Sequence, residues 1–153
     1  MHAQSALARD GGTAPHAWIG AGLGGGTLGV TQEASAWLSG DRVAVGVRWS
    51  QTIRDWSGTG DEHELTALIG IPVPLWRLTL IPAVGVGRAA GCYTVDEFEN
   101  CNSLGVEVAP AWGLDVNAPV SRHIGIHVAA LGVAGRRTQY VGYTAGLSAG
   151  RLP

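Results

Sequence analysis

The residues of this sequence that could do chemistry are few and widely spaced. His123 and His127 lie four positions apart, a spacing that on a helix would suit a metal ion. On a β-strand the same spacing separates the two side chains by roughly 13 Å along one face. The two histidines then cannot share an ion, so we predict no metal site and no cofactor. His127 is interpreted as an interior polar residue.

A glycine-rich segment imitates a nucleotide-binding motif. Residues 20–25 read GAGLGG and match the pattern G-x-G-x-x-G. Dinucleotide binding requires a helix directly after these glycines, because the helix N-terminus holds the pyrophosphate. The following GTLG does not begin a helix. We interpret the glycines as part of a strand.

Five ionisable side chains fall on the same side of the strands that are described below. They are Glu33, Arg48, Glu64, Glu107 and His127. A buried charge without a partner costs several kcal/mol, so residues on an interior face need one another. We predict a network with Arg48 between Glu33 and Glu64 on adjoining strands, which plugs the interior and fixes strand register. The alternative is a proton or ion path, or a general acid–base pair.

The two cysteines lie close together in the sequence. Cys92 and Cys101 bracket eight residues of an acidic, turn-like stretch, GCYTVDEFENC. A disulfide here would close a small loop and add about 2–3 kcal/mol of stability. It would also indicate an oxidising compartment. We predict this disulfide; the alternative is a pair of free thiols.

Composition excludes several classes of protein. The 153 residues predict one domain, and 46% apolar content argues against disorder. Only 14% of residues are charged, about half the usual share, and the net charge is −2 without any lysine. A basic stripe is missing, so we predict no nucleic-acid partner. No apolar run reaches 18 residues, which excludes a transmembrane helix.

Most of the chain alternates between apolar and other residues with a period of two, which is typical of strands. We expect a flexible N-terminal arm over 1–15 and one barrel domain over 16–153. Short turns at 39–41, 72–76 and 115–122 alternate with longer or glycine-rich loops at 25–31, 52–62, 88–103 and 133–138. This pattern predicts an all-β fold, an eight-stranded antiparallel up-and-down barrel. The predicted strands are 17–24, 32–38, 42–51, 63–71, 77–87, 104–114, 123–132 and 139–150.

The two faces of these strands differ in a way that predicts their surroundings. One parity is apolar, and we expect it to carry no charged residue, histidine or serine. The other parity is small, rich in glycine and sparsely charged, which is too few charges for a soluble exterior. We therefore place the apolar parity outward, as in a transmembrane β-barrel. Four aromatic residues are candidates for interfacial belts, with ordinary packing as the alternative: Trp49, Trp76, Trp112 and Tyr143.

Over residues 17–152 the chain resembles the small eight-stranded outer-membrane β-barrels of the OmpA and OmpX type. The resemblance rests on the eight alternating segments, the alternating loop lengths and the final strand YVGYTAGL at 140–147. It implies a transmembrane barrel in the bacterial outer membrane, with its secretory signal already removed and lipid around it. It further implies a structural or adhesive role, no through-pore and no enzymatic activity.

The loops 52–62 and 88–103 are acidic and carry aromatic residues. Loops on a rigid scaffold often carry recognition. They are candidates for contact with a surface protein or a polysaccharide, and simple solvation is the alternative.

Two other functions remain open at this point. A soluble, lipocalin-like barrel could bind a small apolar ligand if the apolar parity faced inward. A lipid-acting barrel enzyme similar to the lipid A deacylases would need serine, histidine and an acid on its outer wall. Pro82 and Pro110 fall inside predicted strands, and we expect them to face each other across one hairpin at a bulge.

Overall fold

The computed structural model describes residues 15–27, 29–53, 61–94, 101–136 and 139–153. Within these ranges the chain forms β-strands, and none of the described residues belongs to a helix that could cross a membrane. The strands are β1 (His16–Gly26), β2 (Gly29–Ser39), β3 (Ala44–Ile53), β4 (Asp61–Gly70), β5 (Val73–Leu75), β6 (Leu78–Thr94), β7 (Cys101–Pro119), β8 (Ile124–Ala134) and β9 (Gln139–Arg151). The predicted N-terminal arm, apart from Pro15, lies outside the described residues.

The long strands form one closed antiparallel sheet. Each pairs with its neighbours in the chain, and β1 pairs with β9 to close the ring. The short strand β5 pairs with the start of β6, while β4 pairs with β6 directly and completes the wall. The predicted eight-stranded up-and-down barrel is confirmed. The glycines at 20–25 lie in β1, as predicted from the missing helix signal.

The register shows how strongly the strands are staggered. A path that leaves β1 at His16 and crosses each strand to the opposite residue returns to β1 at Gly26, ten residues further along. The path runs through Ser39, Ala44, Gly70, Ala83, Gly113, Leu131 and Gly142. Eight strands enclose an interior just wide enough for side chains to fill.

The barrel carries its apolar residues outside and its polar residues inside. Ile19, Val108 and Leu147 are 63%, 73% and 64% exposed, although they lie in the middle of strands. Glu33 and Arg48 are buried in the interior, here called the lumen. The predicted orientation of the two faces is therefore confirmed. A soluble barrel that binds an apolar ligand would need the opposite orientation.

Two strands are longer than the sequence predicted. Segments 77–87 and 104–114 become β6 (Leu78–Thr94) and β7 (Cys101–Pro119), so part of the predicted loop 88–103 is strand. The predicted turn at 115–122 is wrong over its first residues, because Asp115 and Asn117 are buried strand residues. Both side chains point into the lumen. The turn prediction failed because Asp and Asn are also typical of turns, so these lumen-facing polar residues resembled a turn in the sequence.

The prolines do not form the expected bulge. Pro82 lies opposite Leu114 and Pro110 opposite Val86, and the register shift of this hairpin lies between Gly91 and Cys92. The N–H and C=O groups of one strand residue point to the same side. The Pro82 carbonyl accepts a hydrogen bond from the Ile71 amide, so the missing N–H of Pro82 is on the side of Ile71, which lies beyond the end of β4. Antiparallel alternation directs the same side of Pro110 toward β8, whose ladder with β7 begins one residue later at Ala111. Each proline therefore lies where its missing donor interrupts no ladder.

Interior glycines make room for the large side chains of the lumen. A Cβ atom added at Gly46 would lie 2.5 Å from the ring of Trp37, the residue opposite on β2. One added at Gly113 would lie 2.7 Å from a nitrogen of the Arg48 guanidinium. The glycine-rich parity is thus explained by what the narrow interior must hold.

We expect Gly46→Ala to lower the free energy of unfolding by about 1–3 kcal/mol, because the indole of Trp37 cannot move away inside a filled lumen. Urea unfolding in detergent micelles measures the change. Gly40→Ala is the matched control, since its Cβ would meet its first neighbour, the Val43 carbonyl oxygen, at 3.9 Å. Equal stability of the two variants would contradict this packing.

Candidate functional site in the lumen

Arg48 lies at the centre of the polar lumen. It extends from β3 and is 2% exposed. Its Nε lies 3.3 Å from Oε1 of Glu33 on the neighbouring strand β2. Its Nη2 donates a hydrogen bond to Asp115 on β7. Because β3 and β7 are not neighbours in the wall, the second ion pair spans the lumen.

Glu33 has contacts with two further residues, His127 and Thr144. Nε2 of His127 on β8 lies 3.3 Å from Glu33 Oε1 and 3.8 Å from Asp115 Oδ1. The hydroxyl of Thr144 on β9 donates a hydrogen bond to Glu33 Oε2. The five residues Glu33, Arg48, Asp115, His127 and Thr144 are called the central cluster. They come from five strands, so the cluster ties both halves of the barrel wall together.

The predicted position of Arg48 between two carboxylates needs a correction. Glu64 accepts a hydrogen bond from Ser50 at 3.1 Å, and the ion pairs of Arg48 among the described residues are with Glu33 and Asp115. Sequence reasoning missed Asp115 because it assigned the residue to a turn. The signal was available, since Asp115 continues the lumen parity of β7.

The predicted network therefore comes together only in part. Glu33, Arg48 and His127 meet in the central cluster. Glu107 lies apart, at the end of the barrel that carries the longer loops, where its Oε1 accepts a hydrogen bond from the Arg136 amide at 2.7 Å. His123 lies exposed in the turn before β8, so it does not join His127.

A layer of hydroxyl groups lies beside the cluster, toward the longer loops. Thr31 Oγ1 is 3.2 Å from Thr52 Oγ1 and 2.5 Å from the Tyr140 hydroxyl. These groups are buried and bind one another across strands β2, β3 and β9. The hydroxyl groups of this layer thus bond to one another, whereas other buried polar atoms of the described lumen, among them both side-chain amide atoms of Asn117, have no hydrogen-bond partner.

An apolar layer lies on the other side of the cluster, toward the short turns. Trp18 and Trp37 stack with ring centroids 6.2 Å apart and planes inclined by 13°. Leu68, Ile81 and Leu152 belong to the same buried group. An ion that crossed the lumen would have to pass both the paired charges and this apolar layer.

The central cluster contains the donor atoms of a possible metal site. Ligand atoms of Glu33, Asp115 and His127 lie within 4.8 Å of one another. Arg48 already contacts both carboxylates, so a cation would have to displace a buried guanidinium. The side chains of Glu33, Asp115 and His127 are 0% exposed, which leaves a substrate no access to them. The arrangement pairs one guanidinium with two carboxylates and links strands, and it does not fit a metal centre or an acid–base pair.

Three of the four predicted belt aromatics share one height on the outer wall. Trp49, Trp112 and Tyr143 are 39%, 38% and 65% exposed. The pairing register leads from Trp49 across β4 and β6 to Val108 on β7. Because the strands are staggered by slightly more than one residue per strand, the residue of β7 at the same height as Trp49 lies further along this strand, at Trp112. The same count from Trp112 across β8 leads to Tyr143.

The fourth belt aromatic lies at the opposite end of the barrel. Trp76 occupies the turn between β5 and β6 and is 98% exposed. Its φ of 60° is a left-handed conformation that costs about 1–2 kcal/mol for a residue with a side chain.

The outer wall is less uniform than the sequence predicted. β4 and β6 carry His63 and Arg88 with exposed side chains on the outer face, where we expected neither histidine nor charge. The reason for Arg88 is the greater length of β6, whereas His63 already has the outward parity in the predicted strand 63–71, so the expectation for histidine was wrong on the sequence itself. A lipid-acting barrel enzyme would need a nucleophile beside such a histidine. His63 lies opposite Gln51 and Ala90, and neither of them is a nucleophile.

The cysteines lie in strand rather than loop. Cys92 is opposite Ser103 and Cys101 is opposite Thr94, so the two cysteines are diagonal neighbours in the hairpin. Their side chains lie outside the described residues, and the disulfide stays a prediction.

Comparisons with known proteins bear on the fold. No protein-family model matches the sequence, and no curated protein matches it. Among solved structures, Ail, the attachment invasion locus protein of Yersinia pestis, is similar with a TM-score of 0.61 at 11% identity, covering 88% of this chain and 96% of that one. Neisserial surface protein A gives 0.64 at 9% identity, covering 90% and 96%.

The N-terminal β-barrel domain of OprF from Pseudomonas aeruginosa gives a TM-score of 0.61 at 14% identity, covering 88% of this chain and 96% of that domain. At these identities the likeness shows the fold. The chain has the fold of the small eight-stranded outer-membrane β-barrels, and the resemblance seen in the sequence is confirmed.

We expect Arg48→Met to lower the free energy of unfolding by about 3–5 kcal/mol, because it leaves Glu33 and Asp115 buried without their cation. Adding Glu33→Gln and Asp115→Asn should recover most of that loss. Urea unfolding of the refolded barrel measures each step.

Glu64→Gln is the comparison variant and should cost roughly 1 kcal/mol, since Glu64 loses at most part of its hydrogen bond with Ser50. A double-mutant cycle that couples Arg48 to Glu64 more strongly than to Asp115 would contradict the described cluster.

Proposed function

We propose that the chain spans the bacterial outer membrane as a small, closed barrel with a structural or surface-interaction role. The observation that carries the proposal is the inverted distribution of side chains. Exposed valine, leucine and isoleucine cover the wall, while the charged central cluster is buried in the lumen. A closed barrel also satisfies its backbone groups within a bilayer, where no water can do so.

The outer wall supports a membrane position. Trp49, Trp112 and Tyr143 at one height, with Trp76 at the other end, match the aromatic girdles that flank the apolar band of transmembrane barrels. Lipid is then the first partner of the chain.

A closed lumen argues against transport as the main activity. The Trp18–Trp37 stack and the ion pairs of Arg48 fill two successive layers of the interior. Function then falls to the ends of the barrel, and the loops within 52–62 and 88–103 are the segments that could contact a surface protein or a polysaccharide.

Two of the similar proteins suggest what such contacts could be. Ail is named an attachment and invasion protein and has been solved with the heparin analogue sucrose octasulfate. Neisserial surface protein A is named for the surface. The loops of this chain are acidic in sequence, with Asp96, Glu97 and Glu99 in one of them. A sulfated, anionic partner is therefore disfavoured, and a neutral or basic surface is the better match.

We expect the chain to fold only with lipid or detergent, and to show a heat-dependent shift in mobility on a denaturing gel. In planar bilayers it should give no persistent conductance, because the lumen is filled. Trp18→Ala/Trp37→Ala should raise conductance by removing the apolar layer. A stable β-rich monomer in plain buffer would contradict the membrane proposal, and a steady pore in the unsubstituted chain would contradict the closed lumen.

The surface-interaction role predicts that binding depends on the loops and not on the barrel. Replacing residues 54–60 and 95–100 by short glycine–serine linkers should abolish adhesion of chain-bearing cells to a target surface while the heat shift is kept. The control replaces residues 40–43 at the other end. Adhesion that survives both loop replacements, or that the unsubstituted chain does not show, would contradict the surface-interaction role and leave only the structural role.

A further inference from the structure

The end of the barrel with the short turns carries an arginine in each of its connections. Arg42 lies between β2 and β3, Arg77 between β5 and β6, and Arg122 between β7 and β8. Arg151 ends β9, which pairs with β1 where the barrel closes. All four side chains are exposed. We call them the arginine ring, because they are distributed around the whole circumference.

The ring has little opposing charge nearby. Among the described residues of this end, Asp41 is the one acidic side chain, and it can offset at most one arginine. The acidic residues of the chain are concentrated elsewhere, in the lumen and toward the longer loops, where Asp55, Asp61, Glu62, Asp96, Glu97 and Glu99 occur in sequence. The chain is therefore polarised along the barrel axis although its net charge is only −2.

Exposed apolar residues accompany the arginines. Val43 follows Arg42, Trp76 precedes Arg77 and Val120 lies two residues before Arg122, with exposures of 48%, 98% and 70%. Trp76 holds a left-handed φ of 60° and gains almost no contact within the chain. Its indole is therefore accessible to a partner outside the barrel.

We infer that the arginine ring binds the phosphates of anionic phospholipid headgroups in the leaflet around the short-turn end. A guanidinium presents paired donors that match phosphate geometry. The apolar residues beside each arginine would lie at the edge of the acyl region, where tryptophan is favoured. The ring would thereby set how deep the barrel sits and which leaflet surrounds this end. The inference rests on the proposed membrane-spanning function.

The test measures which lipid surrounds Trp76. The full chain is refolded into phosphatidylcholine vesicles that contain a minor fraction of either brominated phosphatidylglycerol or brominated phosphatidylcholine. The fluorescence of Trp76 is the difference between the chain and its Trp76→Phe variant. Since an arginine near an anionic surface favours binding by about fivefold, brominated phosphatidylglycerol should quench Trp76 more strongly by a factor of that order. Folding is checked on the same samples by the heat shift.

The ring variant is Arg42→Gln/Arg77→Gln/Arg122→Gln/Arg151→Gln, and in it the two lipids should quench Trp76 equally. The matched control is Arg54→Gln/Arg88→Gln/Arg136→Gln/Arg137→Gln, which removes the same charge from the other end and should keep the preference. Salt at about 1 M, where the Debye length is about 3 Å, should abolish the preference of the unsubstituted chain and needs no variant to fold.

The outcomes separate the two proposals. Equal quenching by both lipids in the folded, unsubstituted chain overturns the arginine ring and leaves the membrane function intact. A preference that survives high salt, or that the control loses as fully as the ring variant, also overturns the ring. Failure to fold in any vesicle overturns the membrane function and the ring with it.

Discussion

Closure of the wall is the constraint on which the rest of this structure depends. A strand edge left open in lipid would expose unpaired N–H and C=O groups, each at a cost of several kcal/mol, so β1 must pair with β9. Closing eight strands with a stagger of ten residues leaves an interior as narrow as a few side chains. The glycines at 46 and 113 follow from that narrowness, and the prolines at 82 and 110 are tolerated only where a neighbouring ladder has ended.

The same narrowness decides how the lumen handles charge. Arg48 is fully desolvated and meets two carboxylates, Glu33 beside it and Asp115 across the barrel. A buried ion pair contributes little net stability compared with apolar packing, but breaking it strands a charge. The cluster therefore acts against wrong registers: a shift of one residue in β2, β3 or β7 would turn its charged side chain out of the lumen and into lipid.

In the closed lumen that we propose, function lies outside the barrel interior. The two ends of the barrel are then the parts whose chemistry can carry a specific function. The short-turn end carries four arginines and an exposed tryptophan, whereas most acidic residues outside the lumen, Asp41 excepted, occur in sequence toward the longer loops. In our proposal, this polarity orients the barrel in the membrane independently of any ligand at the loops.

The sequence by itself determined the fold class, the number of long strands and the inversion of the two faces, because a period of two is a local property that each strand carries alone. It also placed Glu33, Arg48 and His127 on the lumen side. Parity tells which side of the wall a residue occupies, but not its height or its neighbours across the lumen. Only the closed structure, through its stagger, brings Asp115 to Arg48 across 67 residues of chain and sends Glu107 to the far end. Only the closed structure shows that β7 continues through Asp115, because pairing with β6 and β8 outweighs the turn-forming tendency of the polar residues of β7.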